Sequence, residues 1–286
     1  MVVGKVNTLT QGELSAMEYR KSSLQNSGRI LLAVIASLVV LSTVVAPVLA
    51  QKDQGTVKPN IVLVHGAWAD GTSWSGVIQR LQAENYNVTA VQLPLSSLAD
   101  DVAAVRQVLT TQTGPTLVVG HSYGGVVIGE LGTDAPNVVG LVYVAAFALD
   151  EGGSVQGLLA NGAPPSLESL RPDAKGYLWF EREGFLKFFA PDVDPVQAQI
   201  MAAVQKPINS AIFGTPSGVQ AWTVLPTWYM VATDDQIIPP DAQRALAAHI
   251  GATMVEVKSS HVPLVSHPEE VTDLIVKAAQ AVSAAN

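Results

Sequence analysis

The strongest constraint on the fold is a rhythm of short apolar runs that alternate with amphipathic segments from Asn60 onward. Apolar runs bounded by turn residues predict buried strands, and apolar residues at every third or fourth position predict helices. Strands that alternate with helices predict a parallel sheet with right-handed crossovers. We therefore expect an α/β protein with a mostly parallel six-stranded sheet flanked by helices. The predicted strands are 61–64, 88–93, 116–119, 138–145, 228–232 and 253–257.

Residues 150–224 interrupt this rhythm. They contain Gly-Gly and Pro-Pro pairs and short helical pieces rich in Phe, without alternation of strands and helices. We interpret them as a small helical cap that is inserted into a domain spanning residues 60–286. The aromatic side chains of the cap either line an apolar pocket or pack the cap onto the core. They include Phe185, Phe188, Phe189 and Trp222.

The amino-terminal segment has a different character. Residues 30–50 are almost continuously apolar and follow a stretch with four basic side chains. Small residues around Val48-Leu49-Ala50 predict signal-peptidase cleavage, so we expect a secretory signal over 1–50 and a polar linker over 51–59. An uncleaved membrane anchor is the alternative, because the run is nearly long enough to span a bilayer. Met17 is an alternative start. We expect an exported protein, periplasmic or secreted.

Composition narrows the chemistry and the partners. The chain has no cysteine, which excludes disulfides, thiolate metal sites and a cysteine nucleophile. Its formal net charge is −8 and it has no basic stripe, so we expect no nucleic-acid partner. No spacing of His and carboxylate residues suits zinc, and no Lys follows the glycine near Asp70-Gly71 as in a phosphate loop. We therefore expect neither a metal nor a cofactor.

The segment Gly120-His121-Ser122-Tyr123-Gly124-Gly125 lies between the third predicted strand and an apolar helical segment. A strand, a sharp turn and a helix are the context that a G-x-S-x-G nucleophile elbow requires. Glycines on both sides of Ser122 relieve the crowding of such a turn. We expect Ser122 to present its hydroxyl at the carboxyl end of a parallel strand. A tight turn without chemistry is the alternative interpretation.

A serine nucleophile needs a base, and the base needs an orienting acid. In this type of sheet the chain order is Ser, acid, His. His261 follows the last predicted strand after a short loop, at the edge where ligands bind in open α/β sheets. Asp235 follows the fifth predicted strand at the same edge, and we assign it as the acid. The alternatives are His249 and His267 for the base, and Asp234 and Asp150 for the acid.

An acyl-transfer site also needs N–H donors for the developing oxyanion. The backbone N–H of Tyr123 is one candidate, because it follows the nucleophile. The N–H of Ala67 is the other, in the segment His65-Gly66-Ala67-Trp68 after the first predicted strand. The side chains of Trp68 and Tyr123 are candidates for substrate contact. We interpret His65 as a structural hydrogen-bonding residue beneath the oxyanion site.

Four motifs together resemble the α/β-hydrolase superfamily, and more narrowly its compact branch of esterases and hydroxynitrile lyases. They are His65-Gly66-Ala67-Trp68, Gly120-His121-Ser122-Tyr123-Gly124-Gly125, Asp235-Gln236-Ile237-Ile238-Pro239, and Ser260-His261-Val262-Pro263 with Pro268-Glu269-Glu270. The resemblance covers residues 60–284. It implies that Ser122, Asp235 and His261 form a catalytic triad, and that the N–H groups of Ala67 and Tyr123 form an oxyanion hole.

The resemblance also separates the activities of this branch. Its plant lyases typically carry Thr after the first motif histidine and Lys after the catalytic histidine, where this chain has Gly66 and Val262. This difference favours ester hydrolysis, and a Ser nucleophile excludes halide-cleaving chemistry. The implied function is a carboxylesterase for small or medium uncharged esters, with a lactonase or a perhydrolase as alternatives at the same triad. A non-catalytic ligand-binding protein on the same scaffold is the alternative of another class.

Overall fold

The structure is a computed structural model, and it describes residues 57–160 and 162–284. The predicted signal over 1–50, the alternative start at Met17 and the linker residues 51–56 lie outside these residues, so cleavage and export stay predictions. In the described part of the chain, no helix is both long and apolar enough to cross a membrane.

A six-stranded sheet forms the centre of the domain. The strands of the chain are β1 (Asn60–Val64), β2 (Val88–Val91), β3 (Thr116–His121), β4 (Val138–Val144), β5 (Leu170–Pro172), β6 (Tyr177–Phe180), β7 (Ile208–Asn209), β8 (Thr227–Ala232) and β9 (Thr253–Val257). The central sheet has the order β2-β1-β3-β4-β8-β9, and every neighbouring pair in it is parallel. The α/β class and the six predicted strands are therefore confirmed.

Helices cover the sheet and explain the apolar runs. Every residue of β3 is buried, as expected for a central parallel strand with helices on both faces. The helices are α1 (Ser75–Ala83), α2 (Leu98–Thr110), α3 (Gly124–Gly129), α4 (Val155–Leu159), α5 (Arg182–Gly184), α6 (Pro195–Val204), α7 (Ala211–Gly214), α8 (Pro240–His249), α9 (Pro263–Ser266) and α10 (Pro268–Ala284). Single 3₁₀ turns lie at Gly71–Trp74, Pro165–Ser169 and Ala221–Thr223, and a π turn lies at Phe185–Phe189.

The chain between β4 and β8 forms an insert of short helices and a three-stranded antiparallel sheet, β5-β6-β7. The sequence pattern indicated only helical pieces here. The three strands have three, four and two residues, so they are too short for an alternating pattern to distinguish them from loop.

Trp68, which follows β1, joins the insert to the central sheet. Its indole N–H donates to the carbonyl of Leu178 at 2.9 Å. Its ring contacts those of Phe180, Phe189 and Phe213, with centroids 5.3, 6.3 and 6.2 Å away. Through these contacts the buried Phe189 packs the insert onto the core. This agrees with the interpretation that the cap aromatics pack the cap onto the core rather than line a pocket.

Candidate active site

The turn between β3 and α3 places Ser122 in a strained conformation. Its φ is +55°, in the left-handed region that non-glycine residues rarely adopt. Its carbonyl accepts from the N–H groups of Gly125 at 3.0 Å and Phe147 at 3.2 Å, and these bonds hold the turn. A Cβ on Gly120 would lie 2.6 Å from the Gly124 oxygen, and a Cβ on Gly66 would lie 2.7 Å from Ser122 Cβ. Only glycine fits at these two positions.

Ser122, His261 and Asp235 form a continuous chain of hydrogen bonds. His261 Nε2 lies 2.8 Å from Ser122 Oγ, and His261 Nδ1 lies 2.7 Å from Asp235 Oδ2. The side chains of His261 and Asp235 are fully buried. Because an ionised carboxylate only accepts, the proton of the imidazole lies on Nδ1. Nε2 is then free to accept the hydroxyl proton of Ser122.

Backbone and side-chain donors surround the Asp235 carboxylate. Oδ1 accepts from the N–H groups of Ile237 at 2.7 Å and Ile238 at 3.1 Å, and Oδ2 accepts from Gln243 Nε2 at 2.7 Å. These bonds compensate for the loss of water around a buried charge. Gln243 is fully buried in α8 and was missed by the sequence reasoning. Its only signal in the sequence was a polar amide among the alanines of the segment after Pro240.

His121 supports the backbone of His261. Its Nε2 donates to the carbonyl oxygen of His261 at 2.7 Å, and the two rings lie 4.9 Å apart. Burial, with the nearby His261 ring, holds the pKa of His121 well below its ordinary value. The His121 ring is therefore neutral and places no positive charge beside the His261 imidazole. The elbow motif gave no signal for this role.

His65 joins two loops beneath the turn of Ser122. Its Nε2 accepts from the N–H of Leu93 at 3.0 Å, so its Nδ1 carries the proton and donates to the carbonyl of Gly66 at 2.8 Å. Burial lowers its pKa from the ordinary 6.5 to about 4, and this outweighs the Gly66 bond. With both ring nitrogens bonded to backbone, His65 is a structural residue rather than a base.

This burial predicts a specific loss of stability in acid. Between pH 6.5 and about 4 the unfolded chain binds a proton at His65 that the folded chain does not, so the free energy of unfolding falls as the pH falls. We expect His65 to contribute about 2 kcal/mol to the loss between pH 7 and pH 5. Urea unfolding at both pH values measures this fall in the free energy of unfolding. It is compared between the wild type and His65→Gln, which keeps an acceptor for the N–H of Leu93. An equal fall in the free energy of unfolding in both proteins would contradict the assignment of this fall to His65.

The alternative candidates for acid and base are not hydrogen-bonded to Ser122 in the described part of the chain. His249 Nε2 pairs with Asp150 Oδ1 at 2.7 Å on a half-exposed surface, so the two alternatives bind each other. His267 Nδ1 lies 2.9 Å from Ser266 Oγ. Asp234 is exposed, although its N–H donates to the carbonyl of Ser259 at 3.0 Å. In the described part of the chain, no hydrogen bond joins any of these four side chains to Ser122 or His261.

A cavity of about 390 Å³ lies beside Ser122. Ala67 and Tyr123 line it, and the backbone N–H group of neither residue donates a hydrogen bond to any residue that the structure describes. Buried donors in proteins are almost always paired, so two unpaired N–H groups beside a serine suit an anionic oxygen. The lining residues are Ala67, Trp68, Ser122, Tyr123, Phe147, Val155, Gln156, Leu159, Ala160, Leu167, Leu170, Leu178, Phe213 and Ile237.

The two predicted contact residues, Trp68 and Tyr123, line this cavity with their polar atoms already bonded. The Tyr123 hydroxyl donates to Asp101 Oδ2 at 2.7 Å, and the Trp68 indole donates to the insert as described above. Neither side chain therefore has a polar group left unpaired for a hydrogen bond to a ligand. Two larger cavities, of about 560 and 460 Å³, do not include Ser122.

The parallel sheet, its elbow and the similar proteins define an enzyme of the serine hydrolase type. The chain belongs to the alpha/beta hydrolase family, whose model matches residues 61–274. It is similar to a pyrethroid hydrolase of Sphingobium wenxiniae, with 26% identity over 250 residues that cover 78% of this chain and 88% of that protein. It is also similar to Methylesterase 2 of Arabidopsis thaliana, with 25% identity over 248 residues, 76% of this chain and 94% of that protein.

A solved structure supports the same fold. The crystal structure of a pyrethroid hydrolase from Sphingobium faniae has a TM-score of 0.68 and 24% sequence identity to this chain. The similarity covers 78% of this chain and 98% of that chain. The esterase-named relatives support a hydrolase that acts on esters.

Proposed function

We propose that the protein is a carboxylesterase that acts on small or medium uncharged esters through an acyl-enzyme. The observation that carries this proposal is the chain of hydrogen bonds from Ser122 Oγ through His261 to Asp235, at 2.8 and 2.7 Å, beside an apolar cavity. Similarity to a chain named a methylesterase supports an ester as the substrate.

In the proposed reaction each of these groups has one role. Ser122 Oγ attacks the ester carbonyl while His261 Nε2 takes the hydroxyl proton. The oxyanion of the tetrahedral intermediate accepts from the N–H groups of Ala67 and Tyr123, and Asp235 stabilises the imidazolium. Collapse breaks the bond to the alcohol, which leaves with the proton from Nε2. Water then attacks the acyl-enzyme by the same route and releases the acid.

The cavity favours an uncharged acyl or alcohol group. None of the described residues that line it carries a formal charge, and its polar side-chain groups are limited to those of Ser122 and Gln156 and the already bonded groups of Trp68 and Tyr123. A charged group placed there would lose its water without gaining an opposite charge. The apolar lining therefore disfavours the binding of ionised substrates.

Two esters with the same leaving group test the proposed function. We expect the purified protein to hydrolyse p-nitrophenyl butyrate with a kcat/KM at least about tenfold above that for p-nitrophenyl hemisuccinate, whose acyl chain ends in a carboxylate. Release of p-nitrophenolate measures both rates, and intact-protein mass detects the acyl-enzyme. No turnover of either ester, or a preference for the charged one, would contradict the proposal. A faster reaction with lactones of similar size would favour the lactonase alternative.

A further inference from the structure

The insert contacts the loop that carries His261. Asp192 lies in the insert between the π turn Phe185–Phe189 and α6, and its carboxylate faces the loop between β9 and α9. Oδ2 accepts from the backbone N–H of Ser260 at 2.8 Å and from Ser259 Oγ at 3.1 Å. Oδ1 accepts a further short hydrogen bond from Ser260 Oγ. One side chain of the insert thus binds the two residues that precede His261.

Phe189 adds a second contact from the same part of the insert. Its carbonyl oxygen accepts from Ser260 Oγ at 3.3 Å. Its ring lies edge to face against the His261 imidazole, with centroids 5.1 Å apart. The insert therefore contacts both the imidazole and the backbone that precedes it.

The contacts of Asp192 keep its carboxylate ionised. Burial raises the pKa of Asp192, but hydrogen bonds from Ser260, Ser266 and Ser259 outweigh burial and leave the pKa below its ordinary value. His267 is the titratable group that faces it, with Nδ1 3.9 Å from Oδ2. An ionised carboxylate makes stronger hydrogen bonds to N–H and O–H donors than a neutral amide does.

We propose that Asp192 is a positioning residue that acts through Ser260 to hold His261 Nε2 within reach of Ser122 Oγ. This inference rests on the proposed function of the same site. Asp235 and His121 already bind Nδ1 and the carbonyl of His261. Asp192 adds the support on the amino-terminal side, where the loop has no regular structure to fix its backbone. Seating of the insert is thereby coupled to alignment of the base.

A pair of neighbouring carboxylates tests this role. Asp192→Asn preserves shape but removes the charge and one acceptor oxygen. Asp194→Asn is the matched control, because Asp194 lies two residues away and, among the described residues, its carboxylate accepts only from the N–H groups of Val196 and Gln197 at the start of α6. We expect Asp192→Asn to lower kcat by about 10- to 100-fold with KM changed less than about twofold, since a displaced base slows the chemistry while the cavity stays intact. Asp194→Asn is expected to keep the wild-type kcat.

The Nδ1 proton of His261 offers a readout that needs no turnover. In the wild type this proton lies in a buried hydrogen bond to Asp235 and should give a downfield proton NMR signal. Asp192→Asn should shift or broaden this signal, whereas Asp194→Asn should not. An unchanged signal and kcat in Asp192→Asn, or equal losses in both variants, would overturn the proposal. If the wild type hydrolyses no ester, the proposed function fails, while the NMR comparison still decides the role of Asp192.

A second variant keeps the test valid if Asp192→Asn does not fold. Ser260→Ala removes the hydroxyl bonds to Asp192 and to the Phe189 carbonyl but retains the backbone bond at 2.8 Å. We expect a smaller loss of kcat, about threefold to tenfold, with the same shift of the His261 signal. Wild-type kcat and an unshifted signal in a folded Ser260→Ala protein would overturn the proposal.

Discussion

Ser122→Ala is expected to lower kcat for p-nitrophenyl butyrate by at least about 10⁴-fold, because the variant has no oxygen to form the acyl-enzyme. The hydroxyl is small and, among the described residues, it is hydrogen-bonded only to His261 Nε2, so we expect the fold to be retained. Stopped-flow or plate kinetics measure the rate, and a fluorophosphonate probe should add mass to the wild type alone.

Ser283→Ala is the control for this experiment. Ser283 lies near the end of α10, where its hydroxyl donates to the carbonyl of Ala279 at 2.7 Å, far along the chain from the elbow. We expect its rate to equal that of the wild type. If Ser122→Ala keeps more than about one hundredth of the wild-type rate, Ser122 is not the nucleophile.

Asp235→Asn is expected to lower kcat by about 10⁴-fold through the wrong imidazole tautomer. The N–H groups of Ile237 and Ile238 donate to Oδ1, so they hold the amide oxygen of the variant at that position. The amide NH₂ then takes the place of Oδ2, where Gln243 Nε2 loses its acceptor, and it donates to His261 Nδ1. This moves the imidazole proton to Nε2, which no longer accepts a proton from Ser122.

Asp234→Asn is the matched control for this variant. Asp234 is the adjacent residue, and its side chain is exposed. We expect unchanged kcat and KM, measured with the same ester. Equal activities of the two variants, or an Asp235→Asn protein with more than about one tenth of the wild-type rate, would remove Asp235 from the proposed triad.

The sequence predicted the parts of the molecule that follow from local pattern. The apolar runs predicted all six strands because parallel strands are buried on both faces. The elbow and the turns after β8 and β9 predicted Ser122, Asp235 and His261, because the carboxyl ends of parallel strands meet at one edge. The fold and the enzyme class are confirmed, whereas the roles of these three residues remain our proposal.

The supporting residues were beyond prediction because their roles depend on side-chain contacts that no local sequence pattern encodes. Gln243 bonds to Asp235 across a turn, and His121 bonds to the carbonyl of a residue 140 positions further along the chain. Asp192 lies in the insert, whose short strands carry no periodic signal. Such side chains resemble ordinary turn or helix residues until the tertiary structure shows what they contact.

The residues that line the cavity beside Ser122 come from two parts of the chain, the segments that follow the central strands and the insert. This division affects how the substrate preference of the enzyme can change. The central sheet supplies the nucleophile and both candidate oxyanion donors, at positions where glycines leave no room for substitution. The insert supplies most of the lining residues, from α4 through Leu167, Leu170 and Leu178 to Phe213. New substrate preferences can therefore arise by exchange of insert side chains, provided that Asp192 and Trp68 keep the insert seated. Reactivity and substrate selectivity therefore depend on different segments of the same chain.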